Sequence, residues 1–298
     1  MHILFFVMKF ITKLFISLFL TNSAFASYAD VVLGDNPVLY MQFESFVNSP
    51  EATGATVLGN STVVTNSSTA SGALDGVGYG LVYEDNSYNA GNNTLGRSVF
   101  IDNETQNNTA SAIYRYVDVA DYNAVDVSAG ITMEAWLNVD SSIHSWGRVL
   151  DKNRSTSYMM TMNGSTGQIA TDITDANGNR TLFSNGSDMR SSGWTHHVST
   201  YDGSNWTWYE NGSIVATAGS NFSTSIANND IPIRIFARPG RYDRDRFTGR
   251  ADEIAIYDYA LTSEQVSEHF AAATPVPESS TFGLIFGVFA LSFVLIRR

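Results

Sequence analysis

Ile131-Thr-Met-Glu-Ala-Trp-Leu-Asn-Val139 decides the fold class. Ile131, Met133, Ala135, Leu137 and Val139 share one face of an extended chain, and Thr132, Glu134, Trp136 and Asn138 share the other. Period two sustained over nine residues marks a strand that buries one face.

The same pattern recurs on either side. Trp206-Thr-Trp-Tyr-Glu210, Asn211-Gly212 and Ser213-Ile-Val-Ala-Thr217 read as a hairpin, because an Asn-Gly pair suits the left-handed dihedrals of a type I′ turn. Tyr158 to Met162 and Gln168 to Ile173 flank a second Gly-containing turn, and Ile231 to Ala237 and Ala251 to Tyr257 supply further strands. Val38 to Glu44 reads as an N-terminal strand, and Asn48 to Gly72, rich in Ser, Thr and Asn, as a long surface loop or a weak edge strand. Short strands with turns between them predict an all-β fold of two packed antiparallel sheets. One helix is expected. Thr262-Ser-Glu-Gln265 is a capping box, Leu261 and Val266 occupy the staple positions, and the helix should run to about Ala272.

Both ends carry address-like segments. Residues 1–26 have Lys9 and Lys13, an apolar stretch from Leu14 to Leu20 and Ala24-Phe25-Ala26, the three-part layout of a secretory signal with cleavage between Ala26 and Ser27 by signal peptidase. Seven residues without Lys or Arg precede Met8-Lys9, which makes Met8 the more natural start. At the other end, residues 275–298 hold Val276-Pro277-Glu278-Ser-Ser280-Thr281, a 15-residue apolar run at 282–296 and Arg297-Arg298. That run is shorter than the roughly 17–25 residues of a comfortable membrane span. The arrangement resembles the PEP-CTERM sorting signal of Gram-negative bacteria, with Ser279 where that signal has its second proline. The resemblance implies cutting near Pro277-Glu278 by an exosortase-type membrane protease, and release or transfer at the cell surface. An ordinary membrane anchor is the alternative.

Residues 27–274 then form one domain. The whole chain has formal charge −12. Losing two lysines at the front and Glu278 with two arginines at the back takes it to −15. Such an acidic product lacks the basic surface that nucleic-acid binding needs. With no cysteine, zinc-thiolate sites and cysteine nucleophiles are excluded, and the domain relies on its core, its hydrogen bonds and a candidate metal ion. Triplets such as Asn60-Ser-Thr and Asn211-Gly-Ser read as turn chemistry.

Gly130-Ile-Thr-Met-Glu-Ala-Trp-Leu, Gly193-Trp-Thr-His-His-Val-Ser-Thr-Tyr-Asp-Gly, Trp208-Tyr-Glu-Asn-Gly-Ser-Ile-Val and Phe247-Thr-Gly-Arg-Ala-Asp-Glu-Ile-Ala-Ile-Tyr-Asp-Tyr-Ala-Leu-Thr are similar, in order, to blocks of laminin-G-like domains of the concanavalin A-like superfamily. The resemblance spans roughly residues 36–273 and implies a jelly-roll sandwich. It also implies that Glu44 and Asp252 lie on neighbouring strands, which makes them candidate ligands for calcium, a hard ion that takes oxygen donors. The alternative is that Asp252 caps a turn and Glu44 is solvated.

Catalytic patterns are missing from the sequence. Related β-glucan hydrolases carry E-x-D-x-x-E on one strand, whereas Glu134 is alone on its face. His196 and His197 are adjacent on a strand, point to opposite faces and cannot chelate one ion. G-x-S-x-G and H-E-x-x-H do not occur. A non-catalytic binding module for carbohydrate or exopolysaccharide is therefore expected, with a ligandless structural matrix protein or a glycan-degrading enzyme as alternatives. Trp146, in a predicted loop, is a candidate for stacking on a sugar ring or for anchoring the core. Arg234, Arg238, Arg241, Arg244, Arg246 and Arg250 crowd one segment with Asp243 and Asp245. Arg241 and Arg244 are candidate contacts to an anionic polysaccharide, against a loop that neutralises itself.

Overall fold

The computed structural model describes residues 26–44, 46–47, 56–57, 62–84, 88, 95–101, 115–141, 146–190, 192–220, 222, 225–240 and 245–274. The sorting segment 275–298, the signal segment before Ala26, and Arg241 and Arg244 lie outside these residues.

Among the described residues the chain forms two nine-stranded antiparallel sheets. The first runs β16 (Ser213–Gly219), β15 (Asn205–Glu210), β14 (Trp194–Tyr201), β9 (Ile131–Val139), β18 (Gly249–Tyr257), β7 (Ser98–Ile101), β6 (Val82–Glu84), β3 (Thr56–Val57), with β1 (Leu39–Met41) also paired to β18. The second runs β13 (Arg180–Asn185), β12 (Gln168–Thr174), β11 (Tyr158–Asn163), β10 (Arg148–Asp151), β17 (Ile233–Ile235), β8 (Tyr116–Val119), β5 (Gly76–Tyr79), β4 (Thr62–Val64), β2 (Phe46–Val47).

The alternation of β9 does what the sequence requires. Ile131, Met133, Ala135, Leu137 and Val139 enter the core between the sheets, where they join Met160, Ile173, Ile235 and Ile254. Each of the isoleucine, methionine, leucine and valine side chains taken fully out of water contributes on the order of 1.5–3 kcal/mol. Trp206 and Trp208 stack at 5.5 Å in the same core, and Trp208 Nε1 donates to Thr171 Oγ1 at 2.9 Å, a polar link between the two sheets. The β15–β16 turn has Asn211 at φ 50° and Gly212 at φ 74°, as the Asn-Gly pair demands.

Several strands are shorter than expected. The N-terminal strand stops at Met41 because Phe43 takes φ 56°, and β17 stops at Ile235 because Phe236 takes φ 72°. The Asn48 to Gly72 stretch includes the short strand β4.

The other face of the first sheet is covered by two helices, α1 (Tyr28–Gly34) and α2 (Ser263–Ala273). Thr262 caps α2 through a capping box with Gln265, as its sequence specifies. Helix α1 was not foreseen. It starts from a second capping box, in which Ser27 Oγ accepts from the Asp30 amide at 3.2 Å and Ser27 N donates to Asp30 Oδ2 at 3.0 Å. Tyr28 and Val32 of α1 and Val266 and Ala273 of α2 make a second, smaller core with Trp136, Val198, Tyr209, Ala255 and Tyr257. Among the described residues, no helix is long and apolar enough to cross a membrane.

Candidate functional site

Strand β1 lies beside β18 with Tyr40 opposite Ala255 and Met41 opposite Ile254. The register of β18 on β9 slips between Asp252 and Ala255, and Glu253 takes φ 52° there. This is a β-bulge, which re-aims side chains out of the simple alternation. It brings two successive carboxylates to Glu44, just past β1, so that one oxygen from each of Glu44, Asp252 and Glu253 lies within 4.8 Å of the others. Tyr40 Oη donates to Glu253 Oε2, the Arg97 amide donates to Glu44 Oε1 at 3.1 Å, and the Glu253 amide donates to Asp252 Oδ1 at 2.9 Å. Burial pushes the Glu253 carboxyl well above its ordinary range, against the Tyr40 hydrogen bond and with the Glu44 charge adding to the rise. Burial also raises Glu44. Three hard oxygen donors at this spacing fit one calcium ion, whose bonds of about 2.3–2.6 Å bring ligand atoms this close to one another. The sequence pointed to Glu44 and Asp252. It missed Glu253, because strict alternation sends Glu253 to the opposite face.

Glu134 lies at the centre of a sealed network. Tyr28 Oη donates to its Oε1 at 2.7 Å, Tyr257 Oη to its Oε2 at 3.2 Å, and His196 Nε2 to its Oε1 at 2.7 Å. His269 Nδ1 stands 3.0 Å from both oxygens, while its Nε2 faces Asp35 Oδ2 at 3.0 Å. A ring with a carboxylate at each nitrogen is an imidazolium. Burial pulls the His269 pKa down, but the Glu134 charge and the hydrogen bonds to Glu134 and Asp35 outweigh it and lift the group to about 9. Glu134 is held well below the usual carboxylate range: burial opposes this, and the His269 charge and the two histidine hydrogen bonds override it. His197 lies on the opposite face, as expected, beside Ser199 Oγ at 3.2 Å. Burial, with the His196 charge, lowers its pKa to about 3.

The outer face of the second sheet is charged. Across it, Leu182, Asp172, Met159, Asp151, Arg234 and Asp118 stand in one row of paired positions. Arg148 is fully buried and donates to Asp151 Oδ2 at 2.7 Å, Thr161 Oγ1 at 2.9 Å and the Trp146 carbonyl at 2.7 Å. Trp146 is half-buried with φ 64°, so its backbone serves this arginine. Arg234 clamps Asp118 bidentately at 2.7 and 2.8 Å, and Arg238 pairs with Asp245 at 3.2 Å. Of the described arginines of this segment, Arg234 and Arg238 are thus paired with aspartates, while the Arg250 guanidinium lies over the Phe100 ring at 4.8 Å. Ala26 and Ser27 are exposed at the start of α1, whereas Pro277 and Glu278 lie outside the described residues.

The family model described as "Concanavalin A-like lectin/glucanases superfamily", a laminin G model, matches residues 110–267, more than half of the chain. The chain belongs to this superfamily. The matched stretch holds β8 to β18 and the first turn of α2, so Asp252, Glu253 and Glu134 lie inside the match, and β1 with Glu44 precedes it. No curated protein matches the chain. Among solved structures, the superfamily fold is shared with the binding domain of Paraclostridial Mosquitocidal Protein 1, at TM-score 0.57 and 15% identity over 80% of this chain and 52% of that one. The botulinum neurotoxin serotype D binding domain matches at TM-score 0.50 and 12% identity over 80% and 52%. The serotype G binding domain matches at TM-score 0.50 and 14% identity over 79% and 50%. The chain thus spans about half the length of the structures it matches.

Proposed function

We propose that this chain is an exported, surface-sorted protein of the cell envelope or extracellular matrix whose sandwich is a non-catalytic carbohydrate-binding module, with calcium held by Glu44, Asp252 and Glu253. The observation that carries the non-catalytic reading is Glu134. Glycoside hydrolysis needs two carboxyl groups flanking an accessible bond. The carboxylate of the central strand is fully buried under two helices and engaged by two tyrosines and two histidines. Membership of a superfamily of lectins and glucanases supports recognition of a saccharide. Calcium, when bound, would neutralise the three carboxylates and fix the β1–β18 junction. Ser27 supports processing next to it, because its amide and hydroxyl already begin α1 with Asp30. Signal peptidase and an exosortase-type protease are the processing partners that the terminal segments imply.

A glycan array probed with the secreted protein, with calcium and with chelator, tests the reading. Calcium-dependent retention on a defined set of glycans supports it; an empty array leaves a structural matrix protein. A second reading, glycan cleavage, is favoured by Asp172. Burial, against the pull of the Arg180 and Arg154 charges, holds this carboxyl up at about 7, in the range of a general acid. Asp151, beyond Met159 in the same row, is fully buried and tied to Arg148, so it is not an open partner carboxylate for Asp172. Release of reducing ends from the array glycans would establish cleavage.

A further inference from the structure

Arg154 follows β10 on the turn into β11. Its backbone is fixed: the amide donates to Asp151 Oδ1 at 2.9 Å and the carbonyl accepts from Thr174 Oγ1 at 3.0 Å. Its side chain is different. Arg154 Nε is out of contact with solvent, and among the described residues it has no hydrogen-bond partner. Buried donors are almost always paired, so such a group asks for a missing acceptor. Burial first, then the charges of Arg180, Arg238 and Arg148, lower the pKa of this guanidinium, while Asp172 opposes the fall. The contacts gather four arginines here: Arg148 and Arg238 share Asp245, Arg148 and the Arg154 amide share Asp151, and Arg180 holds Asp172, which is separated from Asp151 only by Met159 across the strands. Arg180 and Arg238 keep 32% and 26% of their side chains exposed, so the cluster opens to solvent. Asp172 is fully buried and pairs with Arg180 through Oδ2, while its Oδ1 is also unpartnered among the described residues.

We infer that this cluster is a binding site for the carboxylate of an acidic saccharide, a uronate chain, with Arg154 donating to the carboxylate and Asp172 Oδ1 accepting from a neighbouring ring hydroxyl. The two orphaned atoms are a donor and an acceptor, which a neutral apolar group would leave unsatisfied and a hydroxy acid satisfies together. Guanidinium forks match a planar carboxylate. The site uses none of the residues that the calcium reading needs. It rests on the reading of the domain as saccharide-binding and narrows that reading to one ligand class.

The test is calorimetric titration of the full chain with an oligogalacturonate, its fully methyl-esterified counterpart and a sulfated neutral oligosaccharide. The expected result is binding of the free acid roughly tenfold or more tighter than the ester. Arg154→Gln and Arg238→Gln should each remove most of that preference at unchanged melting temperature. Both are safe for the fold: the Arg154 anchors are backbone groups, and Asp245 keeps Arg148 at 3.3 Å when Arg238 is gone. Persistence of the acid preference in Arg154→Gln overturns the site. Equal binding of acid and ester overturns it too, while leaving the saccharide reading intact. Binding of the sulfated chain alone overturns the uronate assignment. Binding of none of the three defeats both the site and the saccharide reading of this chain.

Discussion

Tyr28 Oη donates to Glu134 Oε1 at 2.7 Å across a separation of 106 residues. This bond ties the first helix of the domain to its central strand. Because Glu134 also receives His269 from α2, one carboxylate holds both helices against the first sheet. The outer face of that sheet is thereby covered around Glu134.

Tyr28→Phe should cost about 1.5–3 kcal/mol, the usual contribution of a hydrogen bond to a charged group. Glu134→Ala should cost more, about 3–5 kcal/mol, because it strands a buried imidazolium. Urea titrations read both, and equal small losses would remove Glu134 from the centre of the network.

The network also sets a pH response. His269 is raised from 6.5 to about 9 on folding, so its stabilisation is complete below pH 6.5 and is lost as pH rises through about 9. The loss should amount to about 3 kcal/mol. His197 runs the other way: it is lowered from 6.5 to about 3, so the unfolded chain takes up its proton first and stability falls as pH drops from 6.5 towards 3. The two histidines together favour a pH near 6.5, while the raised Asp172 carboxyl works against His197, costing stability as pH rises from 3.8 towards 7. His269→Gln should flatten the alkaline limb and leave the acid limb. An alkaline limb unchanged in that variant would reject the assignment.

The sandwich was legible because its central strands alternate faithfully and its turns carry Asn-Gly and Gly. The carboxylate rim was half legible. Core-facing Ala251, Ile254 and Ile256 break the even spacing by one residue, and that break is the bulge that brings Glu253 to Glu44. Helix α1 left a signal too, since Ser27-Tyr-Ala-Asp30 is a capping box before an apolar run. It was hidden beside the cleavage motif. Of the Arg154 cluster only Arg238 stood out, within the Arg-rich segment, because the other members come from separate segments that only the sheet pairing assembles.

Gly249 tests the geometry of β18. Its φ is 138°, and a Cβ placed there would lie 2.4 Å from the Asn138 carbonyl oxygen, which is backbone and cannot swing aside. Gly249→Ala should destabilise by about 1–3 kcal/mol through displaced backbone at the β9–β18 pairing. Thermal unfolding reads the loss, and a variant as stable as the parent would show that β18 does not approach β9 this closely.

Calcium makes the most discriminating prediction, because its effect changes sign with the ligand present. Glu44 raises the pKa of Glu253 by its charge, so without metal the trio repels itself. Glu44→Gln should therefore melt at the same temperature as the parent or higher in chelator. In about 10 mM calcium the parent should gain about 1.5–3 kcal/mol, taking affinities typical of extracellular modules, and Glu44→Gln should gain little. Asp252→Asn should lose the gain as well. Magnesium, which demands a tighter octahedral shell, should not replace calcium. A parent protein whose melting temperature ignores both calcium and chelator would make the trio a proton-sharing structural cluster and remove the metal from the site.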